Sequence, residues 1–175
     1  MFLFLFAHHI SVAQEPLPLS GSSYGVFASS SLSFAGYSAS AGGYAMGRKS
    51  MVIVGFNTSL PDIVYFGDLR KGFQLAYRFY PQGKSSKLSL HMGPVAQMIF
   101  LKKYDNNTGG SSSLLAEGFM EYGMDWQVFS RLSIGNAIGF GVFYEAYNHP
   151  NRTDDGIVHG LNAKVSISLM FKLNR

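Results

Sequence analysis

The 175 residues predict an all-β fold, a closed antiparallel up-and-down transmembrane β-barrel of about eight strands, and three observations predict it. The first is alternation. After Gly156, Leu161, Ala163, Val165, Ile167, Leu169, Phe171 and Leu173 fall on one side of an extended chain, while Asn162, Lys164, Ser166, Ser168 and Lys172 fall on the other. Met170 is the one apolar member of the wet side. The second is composition: 47% of residues are hydrophobic and only 14% charged, where soluble domains average about 25% charged. No run reaches the ~18 apolar residues of a membrane-spanning helix, so the oil must be spread over alternate positions of strands. The third is rhythm. Connections alternate between short (Gly47–Ser50, Pro81–Ser86, Gln127–Ser130) and long (Asn57–Lys71, Tyr104–Ser113, Asn148–Asp155), as periplasmic turns and outer loops do.

Taken in order, the elements differ in clarity. Tyr24 to Phe34 alternates around Ser29, Ser31 and Ser33. Tyr37 to Met46 is mostly Ser, Ala and Gly, and Met51 to Phe56 predicts a short strand. Phe73, Leu75, Tyr77 and Phe79 alternate with Gln74, Ala76 and Arg78. In Lys87 to Leu101 the apolar row is Leu88, Leu90, Met92, Ala96, Met98 and Phe100, opposite Ser89, His91 and Gln97. Pro94 within it removes a ladder donor and predicts a bulge. Leu114 to Trp126 sets Leu114, Ala116, Gly118, Met120, Tyr122, Met124 and Trp126 against Glu117, Glu121 and Asp125. The acids are also spaced for a helix, but a seven-member period-two row with Gly decides for a strand. Arg131 to Tyr147 alternates again, with Asn136 interrupting its oily row. An even strand number puts both termini at one end.

Residues 1–13 are expected to be the remnant of an export signal: Met1 to Ala7 is apolar, and Ser11-Val12-Ala13 satisfies the small-x-small cleavage rule. Residues 14–175 are then the barrel domain, beginning at Gln14 or Glu15 after cleavage. Absent cysteine removes disulfides from the account. A net charge of +4 comes from scattered basic residues, with no basic stripe interleaved with aromatics, so no nucleic-acid partner is expected.

The overall plan resembles the small eight-stranded outer-membrane barrels of the OmpX and OmpA-transmembrane type. The final strand ending near Phe171 carries the resemblance, with Gly135–Phe143 and the run Gly72-Phe73-Gln74-Leu75-Ala76-Tyr77-Arg78-Phe79-Tyr80-Pro81. That run looks like the G-x-x-L-x-Y-R-Y-Y-P stretch of poorly characterised members. The resemblance implies residence in a bacterial outer membrane, with that membrane's lipid and insertion machinery as partners. Barrels of this kind end on an aromatic residue, whereas here Phe171 is followed by Lys172-Leu173-Asn174-Arg175.

Candidate site residues are the strand charges on the polar side: Arg78, Glu117, Glu121, Asp125, Arg131, Glu145 and Lys164. Inside a narrow barrel their opposite signs pair, and the expected outcome is a lumen network that plugs the interior. No catalytic residue, cofactor or metal is nominated. His91 and His159 have no neighbouring Ser and acid to make a triad, and the His-x-Ser element of the outer-membrane lipid A deacylases matches only His9-Ile10-Ser11, in the segment to be removed. Asp105–Gly110 echoes a calcium loop, but Gly109 and Ala116 stand where oxygen ligands belong. Sequons at Asn57, Asn106 and Asn151 all fall in expected loops. Tyr77, Phe79, Tyr80, Trp126 and Phe129 are placed in an interfacial aromatic girdle. The expected role is structural or mediated by the loops. The rivals are a soluble lipocalin-like carrier, which would turn the oily side inward, and a narrow pore.

Overall fold

The computed structural model describes residues 22–34, 36–60, 70–84, 87–103, 111–148 and 156–174. The expected signal segment and the runs 104–110 and 149–155 lie outside the described residues. The strands are β1 (Ser23–Ser33), β2 (Gly36–Met46), β3 (Ser50–Leu60), β4 (Arg70–Phe79), β5 (Leu88–Lys103), β6 (Ser111–Gln127), β7 (Leu132–Asn148) and β8 (Gly156–Lys172). Each pairs antiparallel with the next and β8 pairs with β1, which closes the barrel and removes the sheet edges along the shared wall.

The register fixes the barrel's dimensions. Stepping across paired residues from Phe27 leads to Gly42, Gly55, Gln74, Gln97, Glu117, Phe143 and Gly160. The β8–β1 register would carry Gly160 to position 37, so the circuit closes with a stagger of 37 − 27 = 10 residues. With strands ~4.8 Å apart and rising ~3.3 Å per residue, eight strands and this stagger give a tilt of about 40° and a backbone radius of about 8 Å. Side chains pointing inward from such a wall meet at the axis.

Facing follows the alternation. Ile167 is 60% exposed and its neighbour Ser166 7%. On β6, Met120, Tyr122, Met124 and Trp126 stand outside while Glu117, Glu121 and Asp125 are buried. A lipocalin-like carrier would show the reverse. We expect a nitroxide at Ile167 to be relaxed by oxygen dissolved in the bilayer and one at Ser166 to be shielded from it; the opposite ranking would turn the barrel inside out.

The interior is not uniformly polar. Phe27, Tyr44, Met46, Met51, Ile53, Ala76, Tyr80, Val95, Phe119 and Met170 form one buried apolar cluster, concentrated on β1–β5. The charges sit mainly on β4, β6 and β8. Apolar residues therefore point both ways along β3: Met51 and Ile53 are inside, Val52, Val54 and Phe56 outside.

Four expectations about the walls are corrected. Strand β3 runs to Leu60 and β4 begins at Arg70, so both ends of the connection expected at Asn57–Lys71 are strand. Asn57 is polar because it faces the lumen, where it is buried. Pro94 makes no bulge: Ala76↔Val95 and Phe79↔Met92 keep one register, and only the two pairs between them are missing, opposite the residue without an N–H. The strands instead come close at Gly93, where a Cβ would run into the Tyr77 carbonyl oxygen. Tyr80 leaves the girdle. It is wholly buried, because it keeps the inward parity of Arg78, whereas Tyr77, Phe79, Trp126 and Phe129 are exposed as expected. The last strand, expected to reach the C-terminus, ends at Lys172.

The residues after Phe171 have a structural task. Leu173 N–H donates to the Tyr24 carbonyl (3.0 Å) and Asn174 Nδ2 to the Ser22 carbonyl (3.1 Å), while Tyr24 N–H donates to Asn174 Oδ1 (3.0 Å). The tail thus stitches the ends of β8 and β1 together at the short-turn end.

Candidate functional site

The site is the barrel's interior, and it is organised around two ion-paired carboxylates and a polar chain, set at successive heights along β6. Period two along this strand points Asp125, Glu121 and Glu117 inward at increasing distance from the short turns. Each has its own partners, supplied by facing strands.

Asp125, 1% exposed, is the hub nearest the short turns. Its Oδ2 accepts from the Tyr80 hydroxyl at 2.5 Å and lies 3.2 Å from Lys84 Nζ. Its Oδ1 accepts from Arg78 Nη1 at 3.3 Å, with His91 Nδ1 at 3.6 Å. Tyr80 and Lys84 lie beyond the end of β4, on a turn that folds back into the barrel mouth. Tyr80 N–H donates to Lys49 O (2.8 Å), Lys84 N–H to Arg48 O (3.3 Å), and Gly83 takes φ +75°, a left-handed conformation that glycine adopts without strain. Burial and the nearby Asp125 carboxylate push the Tyr80 phenol above its usual range, so it remains a hydrogen-bond donor. Burial also draws Lys84 below the usual ammonium range, against the pull of Asp125. Thioethers line the same chamber: Met170 Sδ is 3.7 Å from Arg78 Nη1, and Met51 Sδ is 3.8 Å from the Tyr80 hydroxyl.

Glu121 forms the second level. Its Oε1 lies 2.9 Å from Lys164 Nζ, which also sits over the Phe119 ring, 5.2 Å from its centroid. Glu117 forms the third, held by amides. Gln97 Nε2 donates to one of its oxygens and Asn162 Nδ2 to the other (2.5 Å). Asn57 Nδ2 donates to Gln97 Oε1 (3.1 Å), and Phe34 N–H donates to Asn162 Oδ1 (3.1 Å). This relay crosses the lumen from β3 to the β1–β2 turn. Beyond it, Ile99 and Leu115 are buried with Phe143 packed against them, an apolar layer toward the long loops.

Of the seven residues read from the sequence, the interior brings together Arg78 with Asp125 and Lys164 with Glu121, and it holds Glu117 close to the second pair. Glu145 keeps the inward parity but is only half-buried, opposite Leu115 and Val158 near the loop end. Arg131 is corrected: it is exposed in the turn before β7, because pairing starts at Leu132 and the alternation continues one residue beyond it. Lys84 replaces it as the third cation. Nothing in the strand pattern marks Lys84, since it reaches the lumen from a turn, whereas the parity of Arg78, carried two residues on, marks Tyr80. His91 is buried beside Tyr80, with ring centroids 5.7 Å apart, and His159 is exposed on β8.

No protein-family model matches the chain. No curated protein matches it at a significant level either. Solved structures do. The N-terminal β-barrel domain of Pseudomonas aeruginosa OprF superposes with a TM-score of 0.61 at 6% identity, over 86% of this chain and 97% of that one. Neisserial surface protein A gives a TM-score of 0.53 at 12% identity, over 88% and 98%. A major outer membrane protein of Thermus thermophilus gives 0.52 at 11%, over 87% and 100%. At such identities the likeness speaks for the fold, and the fold is that of the small eight-stranded outer-membrane β-barrels.

Proposed function

We propose that this chain is an integral protein of a bacterial outer membrane, with a plugged interior and a structural or loop-mediated role. The observation that carries the reading is the inversion of the barrel's two surfaces. Large apolar side chains such as Phe56, Leu75, Tyr122, Phe140 and Leu169 are exposed, while Arg78, Glu117, Glu121, Asp125 and Lys164 are buried. In water such a surface would be an aggregation liability; in lipid it is the solvated one. Outer-membrane lipid would then cover the apolar band. The insertion machinery would read a final strand whose aromatic, Phe171, is exposed at its end.

Three layered levels of buried side chains within a radius of about 8 Å favour a plug over a pore. His91 lies against Asp125 and Tyr80 inside the closed wall, an arrangement that supports a structural rather than catalytic part. The test is twofold. Protein from native cells should fractionate with outer membranes and, unheated, migrate faster in detergent gels than the boiled form. In planar bilayers the refolded protein should give negligible conductance; a large, steady current would replace the plug with the pore. Recovery in the cytosol would end the membrane reading altogether.

A further inference from the structure

The cations outside the lumen are scattered along the sequence, but the fold gathers half of them into one ring. Arg48 and Lys49 lie in the β2–β3 turn, Lys87 just before β5 and Arg131 just before β7, and Lys172 closes β8. Because the strands alternate in direction, all of these points lie at the short-turn end. Arg48, Lys49, Lys87 and Arg131 are exposed there, and Lys172 is half-buried. Every short connection thus carries surface positive charge, and so does the end of the last strand. Among the described residues at this end the one acid is Asp125, which is buried and already holds Arg78 and Lys84. Apart from Glu15 and the three lumen acids, the remaining carboxylates fall, in sequence, in or beside the long connections, where Lys and Arg are interspersed with them.

Turns facing water need charge for solvation, but not charge of one sign. A single-sign field selects anions. The backbone also holds like charges together: Lys172 N–H donates to the Arg131 carbonyl (2.8 Å), and Lys84 N–H to the Arg48 carbonyl (3.3 Å). No carboxylate of the described residues pairs with Arg48, Lys49, Lys87, Arg131 or Lys172. Their counter-charge has to come from outside the chain. The level of the ring says from where. Lys172 follows the exposed Phe171, and Arg131 shares a turn with the exposed Phe129. The Lys87 carbonyl accepts from Gln127 N–H (2.7 Å), next to Trp126, and Lys49 precedes Ser50, the partner of Phe79. Aromatic belts sit at headgroup depth, so these cations stand where lipid phosphates stand, and their apolar stems can lie along the wall.

We propose that the short-turn rim binds the headgroups of anionic phospholipids, of the phosphatidylglycerol type, and gathers them around the barrel in the leaflet that it faces. Cations at four stations of the perimeter suit a shell of many small anions. A single acidic protein would meet one side of the ring. Each Lys or Arg close to an anionic membrane surface favours it by about fivefold, and salt screens the attraction. The inference rests on the membrane reading of the barrel; the ring of charge itself follows from the topology.

Trp126, the one tryptophan of the chain, stands exposed at this rim and reports on the lipid that touches it. The full chain is refolded into phosphatidylcholine vesicles containing a fixed share of lipid with brominated acyl chains, which quench a tryptophan in contact. Brominated phosphatidylglycerol should quench as though bound at least about threefold more strongly than brominated phosphatidylcholine. Raised salt should narrow the difference. Lys87→Gln, Arg131→Gln and Lys172→Gln combined should bring the two lipids close to parity, with the heat-dependent gel shift unchanged. Lys71→Gln, at the other end, should leave the preference as it is. Equal quenching by the two lipids in the unmodified protein, or a preference that survives both salt and the triple substitution, would overturn the proposal. So would sedimentation of the barrel with purified cell-wall polymer through these same cations without any lipid preference, which would assign the ring to polymer carboxylates. Loss of the gel shift, with no quenching by either lipid, would overturn the membrane reading beneath it.

Discussion

Replacing Asp125 with leucine should destabilise the barrel more than any other single change in its lumen, by about 3–5 kcal/mol. That is the range for leaving buried charge without its counter-ion. Asp125 is buried with Arg78 at 3.3 Å and Lys84 at 3.2 Å, so its loss strands two cations rather than one. It also leaves the buried Tyr80 hydroxyl without the acceptor it now reaches at 2.5 Å. Unfolding in urea from detergent or short-chain lipid, followed by Trp126 fluorescence, measures the effect. Tyr80→Phe removes one hydrogen bond to a charged group and should cost less, about 1.5–3 kcal/mol. Combining Asp125→Leu with Lys84→Met should recover part of the loss, since one stranded cation is gone. A loss under about 1 kcal/mol for Asp125→Leu would mean that water reaches the chamber and the turn does not seal it.

How much of this is legible in the sequence depends on whether the two faces of a strand differ in polarity. On β6 and β8 they do, so outward and lumen residues separate down to Met170, the apolar exception, which lines the Asp125 chamber. On β3 they do not, because Met51 and Ile53 fill the lumen with the same kind of side chain that Val52 and Val54 present on the outside. A run that is apolar on both faces carries no period to follow onward, so the polar residues Asn57, Thr58 and Ser59 read as the start of a connection although the strand continues through them to Leu60. At strand ends the failure is of another kind. Alternation does not say where pairing stops, which is why Arg131 reads as an inward residue; nor does it say that a turn folds back, which hides Lys84. Which cation meets which acid is beyond the pattern altogether. Pairing across the lumen depends on the stagger of the whole barrel, a sum of eight registers, and a one-residue error in any of them moves every partner.

Because that stagger brings Lys164 to Glu121, the second large effect is expected there. Glu121→Leu should cost about 3–5 kcal/mol by leaving Lys164 buried and unpaired. Their N–O distance is 2.9 Å, and both side chains are almost completely excluded from solvent. The Phe119 ring face, 5.2 Å from the ammonium, offsets part of the loss. The neighbouring Glu117 does not substitute easily, since its oxygens already accept from Gln97 and Asn162. Glu145→Leu is the comparison. Glu145 is half-buried near the loop end, where solvent shares in compensating the charge, and its replacement should cost well under half as much. The double variant Glu121→Leu with Lys164→Met separates pairing from packing. If the pair matters through uncompensated charge, the double variant should be more stable than Glu121→Leu alone, with a coupling of roughly 1 kcal/mol or more, as expected for residues in direct contact. If instead the two losses simply add, the lumen charges act independently. The interior would then be a collection of solvated side chains rather than a network that closes the barrel.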